Sequence, residues 1–200
     1  ETEITDSEKW EKGIVIEDSR KTVKVLIKEV VYDCVIGGNF MQKNESVIAT
    51  GDFVQVENLN NNNWVIRKVL PRITRLSRPA ATGTKLSMVK EKVIAANIDV
   101  LGIVVATLKP VFKPALIDRY LLTAEKHGIS VLIIMNKIDL TEEVPESIHE
   151  YEKLGIKVIY TSTITNQGID ELKLALKDKI CVFTGHSGVG KSSLLNSLSL

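Results

Sequence analysis

The stretch Gly185-His186-Ser187-Gly188-Val189-Gly190-Lys191-Ser192 reads G-x-x-x-x-G-K-S, the pattern of a phosphate-binding loop. Its flanks suit it. Ile180-Cys181-Val182-Phe183-Thr184 is a short apolar run of the kind that makes a buried parallel strand. On the other side, Ser193-Leu194-Leu195-Asn196-Ser197-Leu198 places apolar residues at helical spacing. The glycines therefore stand at a strand-to-helix turn. There the backbone can bend so that several N–H groups meet one phosphate, and the new helix adds its positive end. Gly185, His186, Ser187, Gly188, Val189, Gly190, Lys191, Ser192 and Ser193 are the expected phosphate-binding residues. Lys191 is expected to reach the β/γ-phosphates and is the one catalytic side chain named, while Ser192 would give its hydroxyl to Mg²⁺.

Working back from the loop, strands and helices alternate from about residue 94 onward. The apolar runs at 100–106, 131–135 and 157–160 read as buried strands. Helices are expected at 114–127, opened by Pro114 and stopped by Gly128, at 146–154, and at 169–176. Such alternation means a doubly wound parallel sheet.

The second of these strands runs into Asn136-Lys137-Ile138-Asp139, an N-K-x-D tetrapeptide on the ligand-binding edge of that sheet. A carboxylate at Asp139 can accept from N1–H and the 2-amino group of guanine. Adenine has no 2-amino group and would turn an acceptor toward the carboxylate. An unpaired buried polar group costs about 1–3 kcal/mol, so Asp139 favours GTP over ATP. Lys137 would lay its alkyl stem over the base, and Asn136 would brace the loop. Ser162, within Thr161-Ser162-Thr163 after the third strand, falls where a backbone N–H meets the guanine O6 in guanine-nucleotide domains, or equally in an ordinary strand-to-loop turn.

The first third of the chain reads differently. Runs at 12–17, 22–27, 30–36, 47–48, 53–56 and 64–66 are short, β-rich and separated by polar turns. Five or six such strands make a small barrel, with an OB-fold as first choice and an SH3-like barrel fitting almost as well. Between barrel and sheet lies the most basic part of the chain: Arg67, Lys68, Arg72, Arg75, Arg78, Lys85, Lys90 and Lys92 against Glu91. That charge suits an RNA backbone, or equally a solvated linker. The expected organisation is an RNA-binding barrel over 1–72, a basic linker over 73–92, and the first part of a GTPase domain over 93–200.

Composition sets bounds on these readings. The 200 residues are 44% hydrophobic and 26% charged, with net charge +1, so any basic surface is local. Cys34 and Cys181 form neither a disulfide framework nor a metal knuckle, which fits a reducing cytoplasm. No apolar run is long enough to span a membrane, and the N-terminus is acidic, unlike a signal or transit peptide. The chain starts without Met and stops one helix after the phosphate loop. It is therefore expected to be a piece of a longer protein, whose open strand edges would make it behave poorly alone.

The order of the two motifs is unusual. Asn136 precedes Gly185, whereas ordinary GTPases carry the phosphate loop first, so the GTPase domain is circularly permuted. This order behind an OB-like barrel resembles the small-ribosomal-subunit-dependent GTPase family, RsgA or YjeQ. The resemblance rests on Arg72-Ile73-Thr74-Arg75-Leu76-Ser77-Arg78-Pro79, Ile94-Ala95-Ala96-Asn97-Ile98-Asp99, Leu116-Ile117-Asp118-Arg119-Tyr120-Leu121, the N-K-x-D tetrapeptide, and the run from Gly185 through Ser193. It implies a cytoplasmic, monomeric protein that hydrolyses GTP to GDP and phosphate with Mg²⁺ during late maturation of the 30S ribosomal subunit. The barrel would bind 16S rRNA. It also implies switch segments and zinc ligands that would follow Leu200. Thr163 stands where the family usually has Ala, and His186 occupies a variable position read as incidental. Two alternatives remain: a non-catalytic RNA- and nucleotide-binding fragment, and an ATP-dependent kinase or ATPase, which Asp139 disfavours. No water-positioning residue stands out.

Overall fold

The computed structural model describes residues 10–19, 22–37, 48–59, 63–79, 91–141 and 143–199. Val47, Lys85 and Lys90 lie outside them, as do the side chains of Arg78 and Lys92. The chain divides into two compact units, Glu1–Asn97 and Ile98–Leu200.

In the first unit, strands β1 (Glu11–Asp18), β2 (Val23–Ile27), β3 (Val30–Ile36), β4 (Phe53–Asn58) and β5 (Trp64–Val69) follow the expected runs. They close a barrel in the order β1-β2-β3-β5-β4, with β4 antiparallel to β1. β3 and β5 pair in parallel, Cys34 opposite Trp64. This five-stranded Greek-key closure is the OB-fold and decides against the SH3-like alternative. The period-2 pattern explains the filling: Val23, Val25 and Ile27 point inward with Val15, Cys34, Val54, Val56, Trp64 and Ile66, while Lys24 and Leu26 face out. Ile48 joins this core without being part of a strand.

The stretch expected as a linker carries β6 (Arg75–Pro79) and only the start of β7 (Glu91–Ala96), which continues into the stretch expected to open the GTPase domain; the two strands pair as an antiparallel ribbon. A polar hub joins the ribbon to the barrel. Asp52 is fully buried. Its carboxylate accepts from Arg72 Nε at 2.6 Å, Arg72 Nη2 at 2.7 Å and the Ala49 N–H at 2.8 Å. Asn97 Nδ2 donates to Gly51 O, and Asn97 Oδ1 accepts from the Ile73 N–H, both at 2.9 Å. Gly51 has φ +90°, and a Cβ there would meet Ala96 O at 2.0 Å, so only glycine fits. Two of the eight cations counted as RNA contacts are thus paired with carboxylates: Arg72 on Asp52, and Arg67 on Glu57 at 2.6 Å.

In the second unit, β8 (Val100–Ala106), β9 (Ser130–Asn136), β10 (Lys157–Thr161) and β11 (Cys181–Thr184) form a parallel sheet in the order β10-β9-β8-β11. β8 is buried at all seven positions, as a central parallel strand must be. The helices are α1 (Pro114–His127), α2 (Ser147–Lys153), α3 (Ile169–Leu176) and α4 (Lys191–Leu198). Gly128 ends α1 in the left-handed conformation, φ 64°. β8, β9 and β10 advance in one direction, and β11 returns to the far side of β8. Right-handed crossovers then put α1 and α2 on one face and α3 on the other. Consistently, Val104, Ile134, Ile159, Leu172 and Leu194 share one core cluster, whereas Ile117 of α1 lies outside it. Among the described residues no helix is long and apolar enough to cross a membrane.

Asp52→Ala is expected to cost about 3–5 kcal/mol in the first unit, because it leaves the Arg72 guanidinium buried without its carboxylate. Arg67→Ala, at a half-exposed pair, is expected to cost at most about 1 kcal/mol. Urea denaturation followed by Trp64 fluorescence measures both, and equal costs would contradict the assignment.

Candidate functional site

All four strands of the parallel sheet point the same way, so their following loops gather along one edge. The order reverses between β8 and β11, which makes that point the expected ligand crevice. The phosphate loop leaves β11 there. Its Val189 side chain is buried in the core with Val100, Val104 and Leu194, which anchors the loop from below. His186, Ser187, Gly188, Ser192 and Ser193 are exposed, and Gly185, Gly190 and Lys191 half-buried. Lys191 Nζ donates to Gly185 O at 2.9 Å and His186 O at 2.8 Å. His186 contributes its carbonyl to this contact.

The N-K-x-D tetrapeptide leaves β9 and bonds directly to the phosphate loop. Asn136 is buried; its Nδ2 donates to Val189 O at 2.9 Å, and its Oδ1 accepts from Thr161 Oγ1 at 3.1 Å. Gly190 (φ +97°) lies so close that a Cβ there would fall 2.3 Å from Asn136 Nδ2. Lys137 adopts the left-handed conformation, φ 65° and ψ 34°, and starts the 3-10 turn Ile138–Leu140 that carries Asp139. Its Nζ donates to Gly188 O at 2.6 Å and Lys109 O at 2.5 Å.

Asp139 is exposed, and its Oδ1 accepts from Ser162 Oγ at 2.6 Å. Ser162 is itself buried, and its hydroxyl oxygen accepts from the Ile164 and Thr165 N–H groups, both at 3.2 Å. One hydroxyl thus uses its full donor and acceptor capacity to aim the carboxylate. The Ser162 N–H is spent on Gln167 O at 3.0 Å. Ser162 therefore meets this edge through Asp139 and not through its own N–H, whereas the Thr163 N–H has no protein acceptor among the described residues.

Sequence reasoning named the residues that these loops bring together but missed two partners. Thr161 reads from sequence only as part of a turn, and Thr107, at the end of β8, carries no motif. Thr107 is buried and bonds the backbone of both Asn136 and Lys137. The available signal was a polar residue closing an otherwise apolar strand. For Mg²⁺ the protein offers the exposed Ser192 hydroxyl on the first turn of α4. A single neutral oxygen suits a hard cation that arrives on phosphate oxygens with its own waters, so the residues fit. Among the described residues no group of three His, Cys, Asp or Glu side chains could hold a metal, and this includes zinc.

The model of the RsgA GTPase family matches residues 69–200. A small ribosomal subunit biogenesis GTPase RsgA from Caldanaerobacter subterraneus subsp. tengcongensis is 37% identical over 168 residues, covering 83% of this chain and 52% of that protein. The crystal structure of YjeQ from Thermotoga maritima superposes with TM-score 0.75 at 31% identity, over 94% of this chain and 65% of that one. YloQ, a circularly permuted GTPase, superposes with TM-score 0.72 at 28% identity, over 98% and 66%. The chain spans about half the length of the first of these relatives.

Gly190→Ala is expected to push Asn136 away from Val189 and to weaken mant-GDP binding roughly tenfold or more. Fluorescence titration checks this; unchanged affinity would show that the loop does not need this close approach.

Proposed function

The chain belongs to the RsgA GTPase family, and on that premise we propose that the protein binds GTP along the β8–β11 edge and hydrolyses it to GDP and phosphate. The observation that carries this reading is the pair of bonds from Asn136 and Lys137 to the carbonyls of Val189 and Gly188. They hold a base-reading motif and a phosphate-reading motif at a fixed separation, as one nucleotide requires.

The roles follow from the contacts. Asp139, aimed by Ser162, accepts from guanine N1–H and the 2-amino group. Lys137, its ammonium held at both carbonyls, presents its alkyl stem to the base. The Thr163 N–H serves the guanine O6. The backbone of residues 185–190 binds phosphate oxygens together with the N–H groups of Lys191, Ser192 and Ser193 at the start of α4. Lys191 adds its positive charge to the β/γ-phosphates, and charge neutralisation with fixed position is most of what phosphoryl transfer asks of a protein. Ser192 would hold Mg²⁺, which when bound neutralises charge between the β- and γ-phosphates.

The proposed partner is the 30S ribosomal subunit in late maturation, contacted by the barrel through 16S rRNA, with the protein acting as a cytoplasmic monomer. Support comes from the named role of the relatives and from the OB-fold, a recurrent oligonucleotide-binding barrel. Among the described members of the basic stretch, Lys68 and Arg75 are the exposed ones.

Two measurements test this. The protein is expected to bind mant-GTP in preference to mant-ATP, with hydrolysis that rises when small ribosomal subunits are added. Guanine-selective binding without a subunit effect would remove the partner and keep the GTPase. Asp139→Asn is expected to weaken guanine binding by roughly a hundredfold and shift preference to xanthine nucleotides; unchanged guanine preference would remove Asp139 from its role.

A further inference from the structure

Lys137 is the pivot of the base-reading loop, because strand β9 ends beside it and the turn carrying Asp139 begins at it. It sits there in a left-handed conformation that a side-chain-bearing residue adopts at some cost. Something must hold it. Beside the bond of its ammonium to Gly188 O, the contacts come from the neighbouring strand's exit. The Thr107 N–H donates to Asn136 O at 3.1 Å, and Thr107 Oγ1 donates to Lys137 O at 2.8 Å. Two residues further on, Lys109 O takes the Lys137 ammonium at 2.5 Å. The same segment lies against the phosphate loop, since a Cβ built on Gly188 would be 4.0 Å from Pro110 Cδ.

We propose that Thr107 is a specificity-determining positioning residue: its hydroxyl fixes the Lys137 peptide and thereby sets where Asp139 meets the base. Thr107 is 5% exposed and bonds the N-K-x-D loop at Asn136 O and Lys137 O. The inference rests on the guanine reading of Asp139. A misplaced Asp139 loses the contact most sensitive to geometry, the paired hydrogen bonds to N1–H and the 2-amino group. The signature is therefore a smaller advantage of guanine over hypoxanthine, which lacks that amino group.

Thr107→Val keeps the shape and removes the hydroxyl. Lys137 O retains its bond from the Leu140 N–H at 3.0 Å, so the variant leaves no orphan acceptor and is expected to fold. Thr107→Ser keeps the hydroxyl. The test measures mant-GDP, mant-IDP and mant-ADP affinities and melting temperatures for the full chain and both variants. The expected result is a loss of about five- to tenfold in mant-GDP affinity for Thr107→Val. Its preference for mant-GDP over mant-IDP should narrow similarly, while Thr107→Ser stays like the parent. An unchanged preference in Thr107→Val, or an equal loss in Thr107→Ser, overturns the proposal. Should Thr107→Val fail to fold, Thr107→Ala against Thr107→Ser makes the same comparison. If the parent itself fails to prefer mant-GDP over mant-ADP, the guanine reading falls and this inference with it, a result distinct from failure of Thr107 alone.

Discussion

One buried amide sets the spacing of the ligand edge. Asn136 is 1% exposed, so its donor and acceptor must both be satisfied within the protein. Two different loops satisfy them: the phosphate loop takes the Nδ2 hydrogen at Val189 O, and the end of β10 supplies the Thr161 hydroxyl to Oδ1. Three loops from β9, β10 and β11 are thereby tied to a side chain that cannot rotate without orphaning one of its ends. The constraint is reinforced from below, because the Val189 side chain is packed into the sheet's core while its carbonyl faces Asn136.

Strand neighbourhood, and not chain order, decides what such a site contains. Asn136 comes 49 residues before Gly185 (185 − 136), the reverse of the usual order. Yet β9 and β11 both flank β8, with Ala106 opposite Asn136 and Ile103 opposite Thr184. A parallel sheet exposes the same ends of all its strands on one edge, so moving a connection elsewhere leaves the meeting of loops unchanged. What the order of strands does fix is the reversal beside β8, and with it the crevice.

The elements legible in the sequence were those specified locally. The apolar run of β8 and the Pro114-to-Gly128 helix carry their own punctuation, and both were bounded correctly. The ribbon β6–β7 was not legible, because what holds it is not local. Arg72 meets Asp52 twenty residues away, and Asn97 meets Gly51 forty-six away. The basic stretch shows the same limit: a count of cations cannot reveal that Arg67 and Arg72 already have carboxylates. In the candidate site the motifs named loops that the fold bonds together, but contacts passing through a second residue were invisible. Ser162 acts on Asp139 by its hydroxyl, and Thr107 acts on Lys137 from a neighbouring strand.

The phosphate loop shows how those indirect contacts become function. Four of its carbonyls are taken by side chains: Gly185 and His186 by Lys191, Gly188 by Lys137, and Val189 by Asn136. In a trans peptide the C=O of one residue and the N–H of the next point to opposite sides of a rigid plane. Fixing those four carbonyls therefore turns the N–H groups of His186, Ser187, Val189 and Gly190 away from their anchors. Among the described residues, the N–H groups of His186, Ser187 and Gly190 meet no protein acceptor. Lys191 spends two of its three protons on this task and Lys137 one, leaving Lys191 one for an anion. The glycines permit the turn, but the donors stay aimed because three side chains, two of them from the base-reading motif, hold the opposite edge of each peptide. A loop oriented before its ligand arrives loses less freedom on binding, and here that preorganisation comes in part from the motif proposed to read the other end of the same nucleotide.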